Sequence, residues 1–100
     1  MFWYDTIFCN IFTVLPGITT RPTDQTILES SNATFHCSAT GNPTPKITWI
    51  KDGKSVATGE RLSFEANRNN SGKYWCSANN GLGVAVNASA NLDVHCKFEL

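Results

Sequence analysis

Apolar and polar side chains alternate in short runs through most of this chain. From Asn32 to Thr40, Ala33, Phe35, Cys37 and Ala39 share one face, while Thr34, His36, Ser38 and Thr40 share the other. A period of two marks a half-buried strand. The period returns over Lys46 to Lys51, with Ile47 and Trp49 inward, and over Leu62, Phe64 and Ala66. It returns again over Lys73 to Asn79, with Tyr74, Cys76 and Ala78 inward, and over Ala88, Ala90, Leu92 and Val94. Gln25 to Glu29 reads as a short edge segment. Turn residues separate these runs: Pro16-Gly17 and Arg21-Pro22, a loop over Gly41 to Pro45, the tight turn Asp52-Gly53, a polar turn from Asn67 to Gly72, and the hairpin-like Asn80-Gly81-Leu82-Gly83. No helical period of useful length occurs. The pattern predicts an all-β domain, a sandwich or a barrel.

Residues 1–17 depart from this pattern. They are aromatic and aliphatic and hold no Lys or Arg, and Asp5 and Asn10 interrupt the apolar run. Three readings stand: a signal peptide without the usual positive start, a leading strand, or a fragment's stray beginning. The sequence therefore divides into a leader over 1–17, a domain over 18–96 and a tail over 97–100.

With 100 residues, the chain has the size of one domain and one core. Eight basic and eight acidic residues balance to zero net charge. Nucleic-acid binding, which favours a basic surface, is not expected. No run of about eighteen apolar residues is present to span a bilayer as a helix.

The cysteines are Cys9, Cys37, Cys76 and Cys96, which allow three pairings. No Cys-x-x-Cys pair suits zinc. The dipeptides His36-Cys37 and His95-Cys96 would split their ligands across a strand. No metal or cofactor is expected. Three acceptor sequons, Asn32-Ala33-Thr34, Asn69-Asn70-Ser71 and Asn87-Ala88-Ser89, join the cysteines in favouring a secreted or cell-surface setting.

One constellation narrows the fold. Trp49 follows Cys37 by twelve residues, and Tyr74 precedes Cys76 by two. Together with Gly41-Asn42-Pro43-Thr44-Pro45, Trp49-Ile50-Lys51-Asp52-Gly53, Ser71-Gly72-Lys73-Tyr74-Trp75-Cys76 and Ala78-Asn79-Asn80-Gly81-Leu82-Gly83, this pattern resembles the I-set and C2-type immunoglobulin domains of adhesion molecules, receptors and matrix proteins. The resemblance covers residues 18–96 and is specific for fold rather than for function. It implies a two-sheet Greek-key sandwich. It also implies a Cys37–Cys76 disulfide between the sheets, Trp49 packed on that bridge, and Tyr74 buried with its hydroxyl on a backbone group. Closing that loop stabilises the fold by about 4 kcal/mol in the chain-entropy treatment. Leu62 joins the expected core.

Two positions depart from the family pattern. The family usually has Asp where Asn70 stands, so an ion pair made by that Asp is in question. Only twelve residues separate Trp49 from Leu62, which predicts a shortened C′–E segment.

Strand alternation turns Thr48, Ile50, Trp75 and Ser77 outward. An exposed Trp75 beside Ile50 is a candidate contact for a protein ligand or a second copy. The competing expectation is that Trp75 packs on a neighbouring lysine or arginine stem. Lys46, Lys51, Lys54 and Lys73 offer a lesser possibility, an anionic glycan site. Cys9 and Cys96 are either free or paired differently, or bridge to each other. No catalytic motif is present and no enzymatic role is expected. The resemblance implies protein recognition or adhesion within a larger protein with neighbouring immunoglobulin domains. The alternatives are a piece of a signalling-receptor ectodomain, such as that of a receptor tyrosine kinase, or a structural repeat of a matrix or muscle protein.

Overall fold

The computed structural model describes residues 14–96. Nine strands follow one another: β1 (Val14–Thr20), β2 (Gln25–Leu28), β3 (Asn32–His36), β4 (Ser38–Asn42), β5 (Lys46–Lys51), β6 (Lys54–Thr58), β7 (Arg61–Glu65), β8 (Gly72–Asn79) and β9 (Val86–His95). A single 3-10 turn, Arg68–Asn70, links β7 to β8. One layer is a five-stranded sheet in the order β2-β9-β8-β5-β6. The other layer is built from two antiparallel pairs, β1 with β4 and β3 with β7.

The expected strand over Asn32 to Thr40 is divided. Only Cys37 stands between β3 and β4, and its N–H donates to Glu60 O at 2.9 Å. On one side of that point the chain pairs with β7, on the other with β1. Gly41 and Asn42, expected in a loop, continue β4, because β1 gives them a ladder with Val14 opposite Asn42. Pro16-Gly17, expected as punctuation, lies within β1, where the register shifts between Val14 and Gly17. Proline is tolerated there because β1 is an edge strand. Residues 14–17 of the expected leader therefore run as strand.

The inward positions of the alternating runs meet between the layers. Ala33, Phe35, Cys37, Ile47, Trp49, Leu62, Ala66, Tyr74, Cys76, Ala78, Ala88, Ala90 and Leu92 form one buried cluster, and among the described residues no polar or charged one is buried with them. Cys37 and Cys76 are bonded through it, with Cα atoms 6.5 Å apart. Trp49, directly across the ladder from Cys76, shares its inner face. Its indole is fully buried and donates from Nε1 to Gly59 O at 2.8 Å. Phe35 bridges Trp49 and Tyr74, its ring centroid 6.1 Å and 5.3 Å from theirs.

The shortened C′–E segment is present. Only Gly59 and Glu60 separate β6 from β7, and no strand covers the gap between their edges. A cleft of about 420 Å³ opens there, lined by Val56, Ala57, Leu62, Phe64 and Tyr74 among others.

Candidate recognition face

The outer face of the five-stranded sheet is set by the register of its strands. On β8, Tyr74, Cys76 and Ala78 point into the core, so Lys73, Trp75 and Ser77 point out. Trp75 lies opposite Ile50 on β5 and opposite Ser89 on β9, and Ile50 lies opposite Ser55 on β6. The central row of this face is therefore Ser55, Ile50, Trp75 and Ser89, and it carries no charge. Trp75 is 39% exposed, while Ile50 is half-buried beside it. The next row is Thr48, Ser77 and Asn87. Lys73, on the other flank, holds its ammonium 5.5 Å from the Trp75 ring centroid. The indole is thus exposed, with the ammonium of a neighbouring lysine over its ring.

The lysines expected to gather near this face do not. Alternation leaves Lys46 and Lys73 on it but puts Lys51 and Lys54, which pair with each other across the turn, on the opposite parity. Lys51 lies 5.6 Å from the Tyr74 ring centroid and ion-pairs with Asp52 at 2.9 Å. No anionic-glycan cluster forms from these four.

Asn70 takes a different part from the family's Asp. Its Oδ1 accepts from Asn67 N at 2.9 Å, and its Nδ2 donates to Glu65 O at 3.0 Å. Asn67 Oδ1 in turn accepts from Asn69 N, and the reciprocal bonds of Asn67 and Asn70 form a capping box at the N-terminus of the 3-10 turn. The Tyr74 hydroxyl donates to Asn70 O at 2.5 Å. Burial, and to a lesser degree the negative charge of Asp52, push the Tyr74 phenol above its ordinary pKa.

The three sequon asparagines are all exposed. Asn32 opens β3 in the second layer, Asn69 sits in the 3-10 turn, and Asn87 stands on β9 on the same face as Trp75. Cys96 is a half-buried free thiol, and Cys9 lies outside the described residues. Among the described residues no three metal-ligating side chains gather.

One surface was missed from the sequence. Val14, Leu15 and Val84 are 53%, 64% and 87% exposed. Val14 and Leu15 lie beside the turn that leads to Val84: a Cβ at Gly83 would stand 3.2 Å from Leu15 Cδ2, and Asn80 Nδ2 donates to Val14 O at 2.8 Å and to Pro43 O at 3.0 Å. Val14 and Leu15 fell inside the expected leader. The signal available was an aliphatic residue, Val84, directly after the Asn80-Gly81-Leu82-Gly83 turn.

Two packed sheets, a buried bridge between them and a tryptophan against it define an immunoglobulin-type sandwich. The family model described as an immunoglobulin domain matches residues 16–80, and the chain belongs to that family. It is 36% identical over 94 residues to receptor-type tyrosine-protein phosphatase F of Danio rerio, which covers 80% of this chain and 5% of the phosphatase. It is 32% identical over 91 residues to cell adhesion molecule-related/down-regulated by oncogenes of Xenopus laevis, covering 83% of this chain and 7% of that protein. Among solved structures, a chain from the complex of Dpr2 Ig1-Ig2 with DIP-Theta Ig1-Ig3 superposes with a TM-score of 0.76 at 37% identity, over 83% of this chain and 33% of the other. This chain thus spans less than a tenth of the two curated relatives. The likeness to the phosphatase lies in its immunoglobulin region, not in a catalytic domain. The fold is that of a recognition module rather than an enzyme.

Proposed function

We propose that this chain is an extracellular recognition module, part of a longer protein, that docks another protein through the outer face of its five-stranded sheet. The observation carrying this is the exposed Trp75 at the centre of the charge-free row Ser55, Ile50, Trp75 and Ser89. Tryptophan supplies a large, rigid contact, and tryptophans are enriched among the residues that dominate binding energy. A second copy of the chain is the partner favoured here. The central row bears no charge, the net charge of the chain is zero, and Lys46 and Lys73 stand at the flanks of the row rather than in it. The disulfide, the sequons and the relatives' surroundings support the extracellular setting.

Sedimentation velocity on unglycosylated protein tests this. Concentration-dependent dimerisation is expected, weakened about tenfold by Trp75→Ala with the melting temperature almost unchanged. A wild-type protein that stays monomeric at high concentration, or a variant that dimerises equally well, sinks the proposal.

A second contact is favoured by the exposed apolar residues Val14, Leu15 and Val84. They suit a neighbouring immunoglobulin domain of the same longer protein.

A further inference from the structure

We propose that Asn87 carries an N-linked glycan whose first sugar lies over the Trp75 indole, so that glycosylation closes the recognition face. The inference rests on the reading of that face as a docking surface. It begins with strand parity. Ala88 is buried at 4% exposure, so Asn87 and Ser89, the acceptor and the hydroxyl residue of the sequon, both point outward. Ser89 is the direct cross-strand neighbour of Trp75, and Asn87 is the neighbour of Ser77, two residues further along β8. Asn87 and Trp75 are therefore diagonal neighbours, about 7–8 Å apart at the backbone and within reach of long side chains.

Ser77 and Ser89, the residues that complete the diagonal between them, are both small, and the Asn87 side chain makes no hydrogen bond among the described residues. Lys73 flanks Trp75 from the side away from Asn87. An N-acetylglucosamine on Asn87 Nδ2 would reach the indole from the opposite direction along the strands to Lys73. The axial C–H groups of a pyranose make one of its faces apolar and weakly positive, which matches the negative face of an indole. The same contact removes exposed aromatic surface from water. Asn32 and Asn69 lie on the other layer and in the turn before β8, so glycans there leave this face open.

The step is a glycosyl transfer from a polyprenyl-diphosphate oligosaccharide. Asn87 Nδ2 forms a bond to the anomeric carbon of the donor's first N-acetylglucosamine. The bond from that carbon to the phosphate oxygen breaks, the polyprenyl diphosphate leaves, and the amide nitrogen gives up one proton.

The test uses the full chain secreted from animal cells, with Trp3→Phe as background. Because Trp49 is fully buried, tryptophan quenching by acrylamide then reads Trp75. Mass spectrometry is expected to find Asn87 occupied. Asn87→Gln and Ser89→Ala, which both remove the sequon, should each raise the quenching constant several-fold, and Asn32→Gln should not. The Asn87→Gln protein should also dimerise in sedimentation experiments, while the glycosylated protein stays monomeric. An unoccupied Asn87, or equal quenching with and without its glycan, overturns the proposal. If quenching shows Trp75 covered but neither glycoform dimerises, the glycan's position stands and the homophilic reading of the face falls.

Discussion

Asn70 shows how one amide can replace a charge. Its oxygen accepts from the backbone of Asn67 and its nitrogen donates to the backbone of Glu65, so the site needs both a donor and an acceptor. Aspartate supplies only acceptors. Asn70→Asp, which restores the family's usual residue, should therefore lower stability by about 1–3 kcal/mol, because a carboxylate oxygen would face the Glu65 carbonyl. Urea unfolding at neutral pH measures this, and a stabilised variant would contradict the argument. Tyr74, bonded to Asn70 O, makes a pH prediction. Its raised pKa means that the folded state holds the phenol proton where the unfolded chain releases it. Its contribution is complete below the ordinary tyrosine pKa and is lost as pH rises through the folded value. Urea midpoints should be flat towards pH 10 and fall above it, and Tyr74→Phe should flatten that fall. The inward residues were legible as single positions because burial follows alternation. What Asn70 bonds to was not, because its partners, Glu65 and Asn67, are fixed by the path of the turn rather than by any period.

Strands were legible as apolar runs, but their breaks were not. Cys37 gives the alternating pattern no warning that the ladder changes partner there, since both halves keep the same inward face. The start of β1 was hidden for another reason: Val14, Leu15 and Gly17 are exposed, and the buried residue among them is Pro16, which with Gly17 reads as a turn. The Asp52-Gly53 turn, by contrast, followed from its residues. Asp52 at φ 54° and Gly53 at φ 76° occupy the left-handed region that lets two residues join β5 to β6. A side-chain carbon at Gly53 would meet nothing within 4 Å, so its cost is that of the backbone alone. Gly53→Ala should cost about 1–2 kcal/mol without altering the core, as read by thermal unfolding together with an unchanged near-ultraviolet circular dichroism spectrum.

In the whole molecule, the Cys37–Cys76 bridge ties together two layers that are otherwise held by apolar packing. The sequence separation it closes is 39 residues. Replacing both cysteines by alanine should lower stability by about 4 kcal/mol, measured as the fall in unfolding free energy from urea titration, with a steeper slope as the unbridged unfolded chain expands. If the bridge adds nothing beyond packing, the two free energies will coincide. The two-sheet architecture could be foreseen because the cysteines, Trp49 and Tyr74 stand at spacings that few folds share. The surface could be foreseen only in part. Alternation turned Trp75 and Ile50 outward, but only the register revealed that Asn87 shares their face and that the four lysines do not share one.

The pairing of β2 with β9 is parallel, and Asn91 N donates to Asp24 Oδ1 across 67 positions of sequence. A ribosome makes these two segments at nearly opposite ends of the domain's synthesis. While β9 is still inside the exit tunnel, β2 has no neighbour in its sheet, and β8 lacks one on the side where β9 will lie. The sheet therefore closes only after His95 has emerged. A nascent chain arrested near Ala85 should remain open to protease, and protection should arrive abruptly once the last strand has cleared the tunnel.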